Sequence, residues 1–549
     1  MPWDAACCNP DVRVAACPAT SSDVYAHSAV DRSFEMDLTS TAMPPADILA
    51  ERTATLVTTL TARPRRTGPA IVNDIHSQLN ATRVHRVIDV RSIEDVRDAV
   101  RAARAEGRSV CIGGGWHAMG GQQFVEDGVL LDTRRFNRVL TFDRTKGMVE
   151  VESGIQWPEL IGRLDEIQDG DRETANQQLP RWGIAQKQTG ADRLSIGGAV
   201  SANVHGRGLA MRPFVGDIEA LTLVDADGVV RRCSRRENPD LFRLVVGGYG
   251  LFGFVATVTV RLAPRRKLRR VVEVLTSDVL AQAFEARIRD GFLYGDFQFA
   301  IDPSSKDFLH RGIFSTYHPV DDDAPIPDEQ HALTPEQWRQ LLLLAHVDKQ
   351  RAFDVYASHY LATSGQQYWS DQHQLTTYLD DYHTSVDAHL RARGHEASAT
   401  EVITELYVPR ERLAELLAVA RDDFRRNAVD VIYGTIRLVE RDDETFLPWA
   451  RDRYACVIFN LHTVHTPPGL AHAAATFRRL IDMTIALDGS YYLTYHRHAR
   501  RDQVLACYPR FVEMLRLKQK FDPEERFQSE WYRWYKEMFA SELKAEERR

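Results

Sequence analysis

Apolar residues recur along this chain with two different periods, and the places where the period switches predict its elements. Residues 84–90 (VHRVIDV) read as a strand. Ser92 then opens a helix with Asp95 as capping-box partner; Ile93, Val96, Val100 and Ala103 share one face, and the helix ends near Gly107. Strands at 108–112 and 129–133 follow, so a β-α-β unit delivers the segment between them. Residues 137–153 alternate as a hairpin turning over 143–147, and a short helix at 157–164 carries Pro158 in its first turn. In a second hairpin, 219–232, Asp227 and Gly228 suit a tight turn. From 266 to about 506 strands and helices alternate. Helices are expected at 333–347 and 410–426, and strands at 401–408, 429–439, 455–464 and 491–496.

The segment between the first strands, 113–122 (GGGWHAMGGQ), carries the most chemistry. Gly113, Gly114 and Gly115 have no Cβ, so their amides can turn toward a phosphate, and Trp116 and His117 add an aromatic wall and a nucleophilic imidazole. A strand rather than a helix follows, which argues against the dinucleotide fingerprint of strand, glycine turn and helix. A second cluster, 193–208 (RLSIGGAVSANVHGRG), would let the backbone run close to a planar or phosphorylated ligand, with Ser195 and Asn203 as hydrogen-bonding groups. By itself it reads equally as a small-residue helix packed on a sheet. A third, 246–262, leads Gly247, Gly248, Gly250 and Gly253 into an alternating strand.

At 549 residues the chain exceeds what one core supports, so two packed domains are expected. The formal charge of −8 gives no electrostatic reason to bind nucleic acid, and the basic clusters at 231–236 and 265–270 read as solvated faces or strand edges. No run of about twenty apolar residues is present, which excludes a conventional spanning helix. Seven scattered cysteines lack metal-type spacing and argue against a disulfide scaffold. The first twenty residues have no apolar core of a signal peptide, so the expected location is cytoplasmic. Residues 1–65 read as a mobile tail, and 73–80 as the first packed segment.

The three glycine clusters, in this order and spacing, resemble the vanillyl-alcohol oxidase family of flavoproteins, whose FAD domain is also called the p-cresol methylhydroxylase type. The resemblance covers roughly 82–262 and the tail 508–535, and is nearest to the alditol and aldonolactone oxidase branch. It implies an α+β fold: an FAD-binding domain in two parts, 66–265 and 507–549, with an antiparallel-sheet substrate (cap) domain at 266–506. It implies FAD contacts at Gly113, Gly114, Gly115, Trp116, His117, Ala118, Gly121, Ser195, Gly198, Val200, Asn203, Val204, His205, Gly206, Gly253 and Val255. It also implies a covalent link from His117 to the flavin. The branch commonly has serine where this chain has Ala118, and no cysteine stands near Gln188 to support a second link. The tail motif of Asp522, Pro523 and Phe527 would return the chain to the FAD domain; its aromatic run reads more readily as packing than as ligand binding.

The resemblance implies a small-molecule CH-OH donor, such as a polyol, sugar or lactone, with oxygen or another acceptor reoxidising the flavin. The branch has a Glu-x-Arg pair on a cap strand. Here 435–437 reads Thr-Ile-Arg, keeping Arg437 without the acid, and Tyr495 stands near the branch's lysine. Arg437, Tyr495, His496 and His462 are therefore the catalytic candidates, with Tyr495 or His496 as base. A strand at 491–496 puts His496 and His498 on one face and Tyr495 on the other. A zinc site is disfavoured because no Asp, Glu or Cys completes a compact set with these histidines. Two further readings stay open: a tailoring flavoenzyme with a non-sugar donor, and a flavin-binding module without catalysis.

Overall fold

A computed structural model describes residues 68–173, 180–190, 192–372, 382–392, 394 and 397–544. The expected tail at 1–65 lies outside the described residues, as do Cys7, Cys8 and Cys17. The described part is α+β, with helices set against three larger sheets.

The front of the chain builds a parallel sheet in which Arg86–Asp89 and Val110–Gly113 flank Val129–Asp132. All four residues of the central strand are buried, hence its unbroken apolar run Val-Leu-Leu before Asp132. Helix Ile93–Ala105 starts where expected: the Ser92 hydroxyl accepts from the Asp95 amide at 3.1 Å. The reciprocal bond is displaced by one residue, since the Asp95 carboxylate accepts from the Arg91 amide at 3.0 Å. Val96, Ala99, Val100 and Ala103 of this helix pack with Phe527 from the far end of the chain. The Val110 amide donates to the Arg526 carbonyl at 2.7 Å and the Gln528 amide donates to Val110 at 2.9 Å, so the tail extends the sheet edge. Asp522 makes this return possible by accepting from the amides of Arg526 and Phe527 at 2.8 and 2.9 Å. Trp531, Tyr532 and Tyr535 are buried as packing residues, while Trp534 is 46% exposed.

An antiparallel sheet of five strands follows, including both hairpins read from the sequence; Gly147 and Gly228 turn them at φ +63° and +75°. Residues 73–80 are packed as expected, with the Asp74 carboxylate accepting from the Ser77 amide and hydroxyl and from Asn80.

The third sheet is antiparallel, with eight strands. At its centre Val431–Val439 pairs with Tyr454–Val464, which pairs with Ala399–Pro409. Helices Pro335–Val347 and Leu413–Arg426 fall where the sequence predicts them. Two expectations need correction. Only Ser490–Tyr491 pairs as a strand, so 491–496 is not one. Its backbone is taken by tertiary partners: Gln122 donates to the Thr494 carbonyl at 2.9 Å and Trp531 Nε1 to Leu493 at 3.2 Å. The cluster 265–270 is not wholly solvated either. Arg265, just before strand Lys267–Thr276, is buried against Asp371 at 2.8 Å; Arg270 donates to the Tyr317 hydroxyl at 2.6 Å because it alternates with Leu268 and Val272 onto the buried face of that strand, which is paired on both sides.

Candidate cofactor and active site

One cavity of about 490 Å³ runs from the glycine loop to the inner face of the eight-stranded sheet, within the roughly 300–1,000 Å³ usual for ligand sites. Its first part is walled by main chain. A Cβ on Gly114 would stand 2.0 Å from the Ser195 hydroxyl, and one on Gly115 2.5 Å from the Arg193 carbonyl, so the two cofactor-type segments touch through their glycines. Ser195 caps helix Ile196–Ala202 by accepting from the Gly198 amide at 3.2 Å, which leaves the helix start facing the cavity. A Cβ on Gly198 would meet nothing but that hydroxyl. Trp116 is held at φ +65°, and its indole N–H is buried without a hydrogen-bond partner.

His117 lines the same space, with Nδ1 2.8 Å from Nε2 of His76. Burial pushes its pKa well below the ordinary histidine value and the neighbouring His76 lowers it further, outweighing the Arg193 carbonyl that opposes them. The ring is therefore neutral at physiological pH, the form in which a ring nitrogen is nucleophilic. A glycine cradle, a helix start and an unpaired indole N–H fit a phosphorylated, planar cofactor such as FAD; Trp116, His117, Ser195 and Gly198 would hold it.

The second part is built from one face of the sheet, where period-two alternation lines up Tyr433, Thr435 and Arg437 on one strand with Glu401, Ile403 and Glu405 two strands away. Glu405, 3% exposed, is the centre of a dense network. It receives hydrogen bonds from His205 Nε2 at 2.5 Å, the Tyr407 hydroxyl at 2.6 Å, the Tyr495 hydroxyl at 3.0 Å and Cys456 at 3.1 Å. Burial pushes its pKa up, but the charge and hydrogen bond of His205 and the bonds from Tyr407 and Cys456 outweigh it and bring it down to about 2. Tyr495 moves the other way: burial, the Glu405 charge and its hydrogen bond to Glu405 raise it well above the ordinary phenol value, so it stays protonated. Both atoms of the Gln298 amide, the Tyr433 hydroxyl, the Thr435 hydroxyl and Nε of Arg437 are buried beside the cavity without hydrogen-bond partners. Such a concentration of unmet donors, beside the unmet acceptor Oε1 of Gln298, marks where an oxygen-rich ligand would lie.

Of the residues singled out by sequence, Gly114, Gly115, Trp116, His117, Ala118, Ser195, Gly198, Val204, His205, Gly253, Val255, Arg437 and Tyr495 line this cavity. The others have different surroundings. Gly113 ends its strand against Trp116, Gly121 at φ +81° faces the Arg497 guanidinium, and Val200 is core. Asn203 caps its helix and bonds Asp442 and the Val215 amide, while the Gly206 amide is bound by Gln186. His496 is half-buried and stacked on His498, with ring centroids 5.4 Å apart, and desolvation followed by the charge of Arg497 lowers its pKa to about 4. It is not among the residues that line the cavity. His462 lies beyond the lining, beside His346 and Glu401, and Glu401 supplies the acid thought missing from a compact histidine set. The Arg437 strand carries no acid, but Glu405, on a different strand, lines the same cavity. Its only sequence signal was alternation of Glu401, Ile403, Glu405 and Tyr407 onto one face.

Residues 84–168 match the family model of the FAD binding domain. Over 175 residues the chain is 30% identical to L-gulonolactone oxidase of Mus musculus, covering 32% of this chain and 36% of that protein. It is 26% identical over 199 residues to D-arabinono-1,4-lactone oxidase of Yarrowia lipolytica, 35% of each chain, and 25% identical over 203 residues to cytokinin dehydrogenase 1 of Arabidopsis thaliana, 36% of this chain and 33% of that one. The matches thus span only about a third of these curated relatives. Among the described residues no helix is long and apolar enough to cross a membrane. Since the matched segment includes the loop Gly113–Gly115, the chain carries an FAD-binding domain of the p-cresol methylhydroxylase type, and about a third of the chain is similar to aldonolactone oxidases.

Proposed function

We propose that the protein is an FAD-dependent oxidoreductase that oxidises a CH-OH donor held between the glycine loop and the inner face of the eight-stranded sheet. Bound FAD would supply the hydride acceptor. The observation that carries the reading is the set of unmet donors on Gln298, Tyr433, Thr435 and Arg437 facing the same cavity as His117 and Ser195. Arg437 would hold the donor's oxygen and stabilise negative charge developing on it. Because the Tyr495 hydroxyl donates to Glu405, its lone pairs remain free for the donor hydroxyl. As the donor proton reaches the Tyr495 oxygen, the phenol proton passes to Glu405, so Tyr495 is the proposed relay and Glu405 the carboxylate that receives the proton.

The domain division follows the same logic: a cofactor part of 66–265 with 507–549, and a cap of 266–506 whose sheet shapes the donor site. The neutral His117 ring supports a covalent link to the flavin. Oxygen or another acceptor would take the electrons onward.

The donor class divides two ways. The names of two relatives favour a sugar lactone, while the cap wall also includes Trp338, Leu341, Phe353 and Tyr356, which favour a donor with an apolar part. A cytokinin dehydrogenase is also among the relatives, each matched over only about a third of its length, and so these names do not select the donor. Anaerobic mixing of the yellow protein with lactones, polyols and aryl alcohols separates these: bleaching by a CH-OH donor supports the proposal, and a flavoprotein that no alcohol bleaches would return it to a binding module.

A further inference from the structure

Beside the donor cavity, three potential metal ligands converge from three elements. His346 comes from the last turn of helix Pro335–Val347, Glu401 from strand Ala399–Pro409, and His462 from strand Tyr454–Val464. Glu401 and His462 are direct cross-strand partners, which fixes their separation through the sheet ladder. His346 Nε2 is 3.2 Å from a Glu401 carboxylate oxygen, and the two imidazoles meet edge to face with centroids 4.9 Å apart. One ligand atom from each residue lies within 4.8 Å of the other two. Nδ1 of His462 is buried without a hydrogen-bond partner, although a neutral imidazole in such a place normally has one.

We infer that His346, Glu401 and His462 bind one divalent transition-metal ion, with zinc preferred by the two-imidazole, one-carboxylate donor set. The spacing supports this. Two ligands each about 2.0–2.1 Å from a tetrahedral ion stand a little over 3 Å apart, which the His346–Glu401 contact already meets, and the third closes by a small movement of the His462 ring. The nearby cation does not compete for the carboxylate: Lys349 is engaged by Asp430 at 2.9 Å and by the carbonyls of Ala345 and Val431 at 2.8 and 2.6 Å. Glu401 reaches the cavity wall, so a water or an oxygen of the donor completes the coordination from that side. Glu401 and Glu405 share one strand face four residues apart, which puts the ion about 13 Å from the Glu405 network. At that distance it anchors the far end of an extended donor and pins the covering helix to the sheet, without touching the reacting carbon.

The test uses the full-length protein with its flavin, dialysed against a chelator and then titrated with Zn²⁺ against a chromophoric competitor, and with Co²⁺ as a spectroscopic probe. Wild type is expected to bind one ion per chain, with the visible bands of tetrahedral Co²⁺. His462→Ala and Glu401→Gln should each weaken binding by roughly a hundred-fold or more while retaining flavin. Cys456→Ser, in the other compact set of His205, Glu405 and Cys456, should leave it unchanged. Substoichiometric binding by wild type, full affinity in either ligand variant, or loss confined to Cys456→Ser overturns the assignment. The wild-type stoichiometry decides even if a variant fails to fold.

Discussion

Replacing Glu405 by glutamine tests the centre of the proposed site, because it changes charge with little change of shape. In the folded chain the carboxyl pKa falls from 4.5 to about 2. That depression corresponds to about 3 kcal/mol, and at 3% exposure solvent screening takes little from it. Since the folded value is depressed, this stability is present above pH 4.5 and is lost as pH falls from there toward 2. At neutral pH Glu405→Gln should therefore destabilise the protein by about 3 kcal/mol, in line with the cost of removing one partner from a buried pair. With an unfolding entropy of about 2.1 cal/mol/K per residue, that is a fall in Tm of about 3 °C for a chain of this length. Scanning calorimetry at pH 7 and pH 3 reads the effect; the gap between variant and wild type should narrow at the lower pH. The amide also disturbs the acceptor that aims Tyr495, so anaerobic flavin reduction should slow by ~10-fold or more. A variant that melts with wild type at pH 7 and reduces its flavin at the wild-type rate would remove Glu405 from both roles.

Gly198→Val should abolish or strongly reduce flavin incorporation, since its side chain would project past the Ser195 hydroxyl into the cofactor part of the cavity; absorbance near 450 nm per chain measures it, and full flavin content contradicts the assignment. Acid precipitation of wild type should leave a yellow pellet, with His117→Ala releasing the colour, and His76→Ala should lower the attached fraction by removing the partner 2.8 Å from Nδ1. Arg437→Ala and Tyr495→Phe should each slow anaerobic reduction by ~10²-fold at unchanged flavin content, while His496→Ala, outside the cavity, should reduce at close to the wild-type rate.

What the sequence made legible was local. Ser92 capping its helix, Gly147 and Gly228 turning hairpins, and Asp522 folding the tail back all act through neighbours a few residues away, and each lies where the pattern put it. The glycine loop was legible for the same reason. The run 492–496 was not, because its fate depends on Gln122 and Trp531, hundreds of residues or dozens of residues distant, taking its carbonyls. Its alternation of aromatic and polar residues is real but serves a loop. His496 and His498 still come together and Tyr495 points elsewhere, through the loop's own geometry; the right separation followed from the wrong element.

The acid was missed on similar grounds, and the reason bears on how such a site tolerates change. A carboxylate beside an arginine needs a position in space, not a sequence spacing. In this sheet Arg437 stands opposite Cys456, and Cys456 opposite Tyr407, whose hydroxyl and thiol neighbours both end on Glu405. An acid two strands away can therefore occupy the same electrostatic field as one two residues away. The move has a consequence for the cofactor side. Glu405 also binds His205, two residues beyond the Asn203 cap that ends helix Ile196–Ala202, so the hydrogen bond of 2.5 Å joins the cofactor segment to the donor wall across 200 residues. An acid on the Arg437 strand would lie on the donor wall alone; Glu405 is hydrogen-bonded from both walls of the cavity.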